Sequence, residues 1–174
     1  MSGGGRLLHV DRESLGALTK LCPTFPEQFD RLGVESGEAQ MLSTPISSVQ
    51  KLTAAAGQGA VLYCTGEGAA MEVLGFTKYG QKDLYFYKGA KLVECPGTSC
   101  LLDFYVSGQQ QRRGVGLAMF SEALRVMCVT AAQLAYDRPS PKLTSFLQRH
   151  YSLGGGDLQP NRFMVFREGF RALL

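Results

Sequence analysis

The residues best suited to chemistry lie where an apolar run, Ser99–Val106, hands over to a helical pattern: Gln109, Gln110, Gln111, Arg112, Arg113, Gly114, Val115 and Gly116. A helix start leaves its first N–H groups unpaired and its macrodipole favours negative charge, while glycine permits close backbone approach. An anion such as a pyrophosphate suits that place. The same composition also suits a solvated basic loop, and glycine motifs this short recur by chance. Three other polar residues stand in chemically suggestive places. Asp137, before Arg138-Pro139-Ser140, reads as a turn residue or helix cap. Cys100, in an apolar strand, reads as a small core residue. Gln40, near a helix end, is either surface polarity or a group that orders the following loop.

The elements that must position these residues follow from periodicity. After a glycine-rich, flexible Met1–Gly5, Leu7–Val10 reads as a strand, and Asp11 can cap a helical turn. From Pro26, the apolar positions Phe29, Leu32, Val34, Ala39 and Leu42 fit a helix that Gly33 and Gly37 weaken. Ile46–Ala56 allows a second, short helix. Ala60–Thr65 and Val73–Tyr79 suit a hairpin across Gly66-Glu67-Gly68, and a turn at Gly80 separates a third strand, Leu84–Tyr87. Ser99–Val106, interrupted only by Asp103, reads as a central buried strand. Gly114–Val129 has the clearest helical period. Gln133–Tyr136 reads as a short strand closed by Asp137, Ser140 caps a helix through Arg149, and Arg162–Arg167 is a last strand after the Gly154–Gly156 loop.

Composition bounds the function. A chain of 174 residues with 45% hydrophobic and 19% charged residues is one globular domain with a full core. Its 21 glycines exceed the usual level of about 7%. A formal charge of +3 is too small to imply nucleic acid. No apolar run is long enough for a membrane helix. Cys22, Cys64, Cys95, Cys100 and Cys128 show no CxxC spacing, and no signal segment precedes them, so a reduced cytoplasmic protein without a metal site is expected.

The motifs Gln111-Arg112-Arg113-Gly114-Val115-Gly116, SCLLDFYV, LAYDRPSPKLTSFLQRHYSL, NRFMVFREGF and EAQMLSTPISS together resemble the α-tubulin N-acetyltransferases, a family of the GNAT superfamily. The resemblance runs from about Pro26 onward. It implies an α/β (α+β) GNAT fold: a mixed, largely antiparallel sheet with helices on both faces, whose SCLLDFYV and QLAYD strands splay to hold acetyl-CoA. It places the acetyl-CoA contacts on two segments. The first runs Phe104-Tyr105-Val106, Ser107-Gly108-Gln109-Gln110-Gln111-Arg112-Arg113 and Gly114-Val115-Gly116-Leu117. The second runs Ser140-Pro141-Lys142-Leu143-Thr144-Ser145-Phe146-Leu147-Gln148-Arg149. The family's functional Gln, Cys and Asp fall on Gln40, Cys100 and Asp137, and a family asparagine on Asn161.

The implied reaction is acetyl transfer to a lysine side chain of α-tubulin in the microtubule lumen. A lysine ammonium must lose a proton before attacking a thioester, and the oxyanion must then collapse. Asp137 is the expected base, with Cys100 contributing shape or proton transfer. The remaining cysteines keep a structural reading. The segment KYGQKDLYFYKGAK departs from the family at Asp83, which bears on partner docking. A monomer on cytoplasmic microtubules, including those of a cilium or flagellum, is expected. Two rivals remain: a GNAT enzyme acting on another protein lysine or small amine, and a microtubule-associated module without transferase activity.

Overall fold

The computed structural model describes residues 4–174; residues 1–3 of the glycine-rich start lie outside the described residues. In chain order the elements are β1 Arg6–Asp11, α1 Leu15–Leu21, α2 Phe25–Ala39, α3 Val49–Ala54, β2 Gln58–Thr65, β3 Glu72–Lys88, β4 Lys91–Val106, α4 Val115–Met127, β5 Ala135–Asp137, α5 Pro141–Tyr151, β6 Asp157–Leu158 and β7 Phe163–Val165. The strands are hydrogen-bonded in the order β1-β2-β3-β4-β5-β7-β6. β1 and β2 pair antiparallel, β4 and β5 parallel, and β7 antiparallel with both β5 and β6, so the sheet is mixed as expected.

The chain forms two compact units. One takes in the chain up to Tyr79 together with Asp103–Ala123. Its core gathers Val10, Phe25, Phe29, Leu32, Leu62, Val73 and Phe76, with the Phe29 and Phe76 rings 5.2 Å apart. Phe25, Phe29, Leu32 and Ser36 recur on one face of α2 and are buried. The two glycines that weaken α2 in isolation have a packing reason. A Cβ at Gly33 would collide with the Ser47 carbonyl oxygen, and one at Gly37 would come within 3.4 Å of Pro45 Cα. They let the segment that follows the helix cross it at backbone distance. The helix stops at Ala39 rather than Leu42 because Met41 is left-handed, with φ 56°. The N–H groups of Leu42 and Met41 then close a Schellman cap on Gly37 O and Glu38 O at 2.9 and 3.0 Å.

The other unit is Gly80–Leu102 and Leu124–Leu174. Leu84, Phe86, Cys100, Leu102, Ala135, Phe163, Val165 and Phe170 form its core, with Phe86 edge-on to Phe170 at 5.7 Å. The turn expected at Gly80 is absent. β3 runs unbroken through it, and the chain reverses at Gly89-Ala90, where Gly89 has φ 61°. The alternation explains this: Gly80, Leu84 and Phe86 are buried while Gln81, Asp83, Tyr85 and Tyr87 are exposed, so Gly80 holds an inward position in one continuous period. β7 is shorter than Arg162–Arg167 because Arg162 has φ 69°, outside strand geometry. α5 begins as expected, with Ser140 Oγ accepting from Leu143 N at 3.2 Å, and continues to Tyr151.

Candidate active site

In the second unit, β4 and β5 bring two of the expected residues together. The parallel register pairs Cys100 with Ala135 and Leu101 with Tyr136. Asp137, two residues beyond Ala135, shares the face of Cys100. The ladder covers those two pairs; β5 ends at Asp137 while β4 continues to Val106.

Cys100 is fully buried and its thiol donates to Thr98 O at 3.2 Å. Burial pushes the thiol up to about 12; the Asp137 carboxylate adds to the rise, and the Lys82 charge and backbone N–H oppose it. At neutral pH the sulfur therefore keeps its proton. Asp137 is largely covered, with a side chain 15% exposed, and accepts from Arg138 Nε at 3.1 Å. Arg138 is itself held in a left-handed turn, φ 42°, by its N–H to Arg162 O at 3.0 Å. Lys82, which the sequence reading did not single out, carries Nζ 5.9 Å from the Phe163 ring centroid, and Phe163 pairs with Asp137 across β5 and β7. A thiol, a carboxylate and two cations thus converge here. Asn161 is occupied structurally: Nδ2 donates to Tyr85 O at 3.0 Å and Oδ1 accepts from Phe163 N at 3.1 Å.

In the first unit, the loop after β4 is built on two left-handed residues, Arg112 (φ 63°) and Gly114 (φ 79°), and is closed by Gln111 Nε2 donating to Val106 O at 2.8 Å. Arg112 and Arg113 are exposed. Gly114 O accepts from Ala118 N at 3.0 Å, which makes Gly114 the N-cap of α4. A glycine cap supplies no side-chain oxygen, so it leaves the first-turn N–H groups to other acceptors. Cβ atoms at Gly108 and Gly114 would meet nothing within 4 Å. Gly116 differs: its Cβ would lie 3.1 Å from Phe104 Cζ, so its small size seats α4 against β4.

Gln40, the third expected residue, is the C-cap of α2 and turns its amide inward. Nε2 donates to Ser36 Oγ at 2.9 Å and Asp103 Oδ1 at 3.1 Å. Asp103 is 5% exposed and also accepts from Ser36 Oγ at 2.7 Å, Ser47 Oγ at 2.5 Å and Phe104 N at 2.9 Å. The sequence reading noticed Asp103 only as an interruption. The usable signal was the interruption itself, since a lone carboxylate in a buried strand requires donors.

A family model described as GNAT acetyltransferase, Mec-17, matches residues 9–173. The chain belongs to this family. The α-tubulin N-acetyltransferase of Plasmodium vivax is 36% identical to this Mec-17 family member, covering 95% of this chain and 85% of the relative. The protein of that name from Phytophthora infestans is 38% identical over 86% of this chain and 91% of its own. For α-tubulin N-acetyltransferase 1 of Danio rerio the identity is 40% over 86% of this chain, which spans about half, 51%, of that relative. Among solved structures, an xEco2 acetyltransferase domain bound to a CoA conjugate superposes with a TM-score of 0.57 at 10% identity, covering 93% of this chain and 91% of that one. At that identity the likeness concerns the fold, and the fold is that of a GNAT acetyltransferase. The Mec-17 family member is accordingly an acetyltransferase, and the expected residues Cys100 and Asp137 lie on its paired strands β4 and β5.

Proposed function

We propose that this acetyltransferase transfers the acetyl group of acetyl-CoA to a lysine side chain of α-tubulin on the luminal face of microtubules. It acts as a monomeric single catalytic domain over residues 1–174, in the cytoplasm and on the cytoskeleton, including cilia or flagella. The observation that carries the reading is the family match over residues 9–173, the span that holds Gln40, Cys100 and Asp137.

The residues present fit acetyl-CoA, which supplies the activated acetyl thioester. The open, glycine-capped start of α4 with exposed Arg112 and Arg113 suits phosphate groups. α5 has Lys142 in a first turn without acidic residues, where a cation opposes the macrodipole and a bound anion relieves it. Asp137 accepts the proton of the lysine ammonium, directly or through water. Cys100, protonated at neutral pH, shapes the site or relays that proton. A thiol held up to about 12 is a poor starting point for a covalent acetyl-cysteine route, which needs thiolate.

The test is incubation with acetyl-CoA and polymerised tubulin, followed by mapping of acetylated lysines by mass spectrometry. One α-tubulin lysine is expected to be modified. Unmodified tubulin beside demonstrated acetyl-CoA binding overturns the reading, and acetylation of a different amine replaces the acceptor.

A further inference from the structure

Asp103 takes no part in the chemistry above, yet it is the most heavily bonded side chain near Gln40. Its Oδ1 receives Ser36 Oγ, Gln40 Nε2 and Phe104 N, and its Oδ2 receives Ser47 Oγ. The oxygen that Gln40 faces, Oδ1, already receives the backbone N–H of Phe104 and so serves as an acceptor. Every group facing it must therefore donate, and the amide of Gln40 has one way to comply: NH2 inward, Oε1 left as the free acceptor.

We propose that Asp103 is a positioning residue that locks the polarity of the Gln40 amide, so that Gln40 presents an acceptor, and no donor, to the substrate. A freely flipping glutamine offers either. A locked one selects N–H donors, the chemistry of a lysine ammonium or amine, and disfavours groups that only accept. The lock extends to the segment after α2. Ser47 ties it to Asp103, while Lys78 Nζ donates to Ile46 O at 2.5 Å and Lys51 Nζ to Pro45 O. This inference rests on the proposed transfer to lysine for its consequence, though not for the lock itself.

Two measurements separate the two. The lock is read without substrate, from the side-chain amide signals of Gln40 in 15N NMR. In the parent its Nε2 protons are expected to exchange slowly, and in Asp103→Asn to exchange fast or shift. Its consequence is read from steady-state acetylation in a double-mutant cycle. Asp103→Asn is expected to lower kcat/KM for the protein acceptor about tenfold, the scale of one hydrogen bond to a charged group, with the KM for acetyl-CoA unchanged. Gln40→Glu sets two carboxylates against each other and loses more. Asp103→Asn with Gln40→Glu restores one donor facing one acceptor and again leaves an oxygen outward, so the pair is expected to recover activity above either single variant. Parent-like amide exchange in Asp103→Asn, or a double variant no better than the product of the singles, overturns the proposal. If Asp103→Asn does not fold, Gln40→Glu alone decides. Its activity relative to the parent at the same pH must rise as the pH falls and the new carboxyl gains a proton to donate to Asp103, and a parent-like pH profile sinks the lock. A parent that shows the amide signature and leaves tubulin unmodified refutes the proposed function and leaves the lock standing.

Discussion

Two buried polar groups on β4, Cys100 and Asp103, meet opposite requirements of the same strand. The thiol is solvated so weakly that one contact, Thr98 O at 3.2 Å, is enough, and it joins Leu84, Phe86 and Phe163 in the apolar core of its unit. The carboxylate, equally buried, holds three side-chain donors and a backbone N–H. A buried charge without such partners costs several kcal/mol, roughly what breaking a hydrogen-bonded pair does. The difference separates two ways of serving a reaction. On the proposed reading Asp137 takes up the proton of the acceptor lysine beside the protonated thiol of Cys100, whereas Asp103 is committed to its partners and acts by holding them.

The largest effect belongs to Asp137, the proposed proton acceptor. Asp137→Asn is expected to lower kcat by about a hundredfold or more, the range for loss of a general base, while the KM for acetyl-CoA stays constant. Near-parent turnover with acetyl-CoA still bound shifts the proton acceptor away from Asp137 and erases that side of the comparison.

Much of this contrast was legible beforehand, unequally. The apolar period of Ser99–Val106 announced a buried strand, and the residue-by-residue resemblance picked out Cys100 and Asp137, which the β4–β5 register then set on one face. The helix start at Ser140 was readable from cap chemistry, and the one at Gly114 from the apolar period that begins there. Asp103 was not, because its partners Ser36 and Ser47 lie 67 and 56 residues away along the chain, beyond any local pattern. Gly80 misled for a related reason. As a local signal it marks a turn, but β3 continues through it into the inward–outward alternation of residues 80–87, and the sheet decides.

Stability gives the next contrast. Asp103→Ala strands four donors in a buried place and is expected to cost about 3 kcal/mol in urea unfolding. Cys100→Ala removes one weakly bonded sulfur and is expected to cost about 1 kcal/mol. Equal losses would mean that the thiol is more than a small core residue.

A pH dependence sharpens the Cys100 side alone. The folded state raises this thiol from 9.0 to about 12, so the neutral form is favoured on folding. The corresponding stability is complete below pH 9.0 and is lost as the pH climbs toward about 12. Cys64, raised by burial to about 12 as well, shares the trend. Unfolding midpoints measured across that range should therefore fall for the parent and fall less for Cys100→Ala. Alkylation at pH 8 should mark the exposed Cys128 and spare Cys100. Rapid labelling of Cys100 in the folded protein would contradict its burial.

The smallest effect asks whether Asp103 or the helix end sets Gln40. Met41, the next residue, is 93% exposed and left-handed at the position where Schellman caps favour glycine. Met41→Gly relieves that strain, offset in part by glycine's greater freedom in the unfolded chain, and is expected to stabilise by about 0.5 kcal/mol. Because the amide of Gln40 is fixed by Asp103 and Ser36 rather than by the side chain at Met41, acetylation kinetics should not change. A gain in stability with unchanged kcat and KM keeps the positioning role on Asp103. A gain coupled to a raised acceptor KM moves part of it to the exposed methionine, which then contacts the acceptor itself.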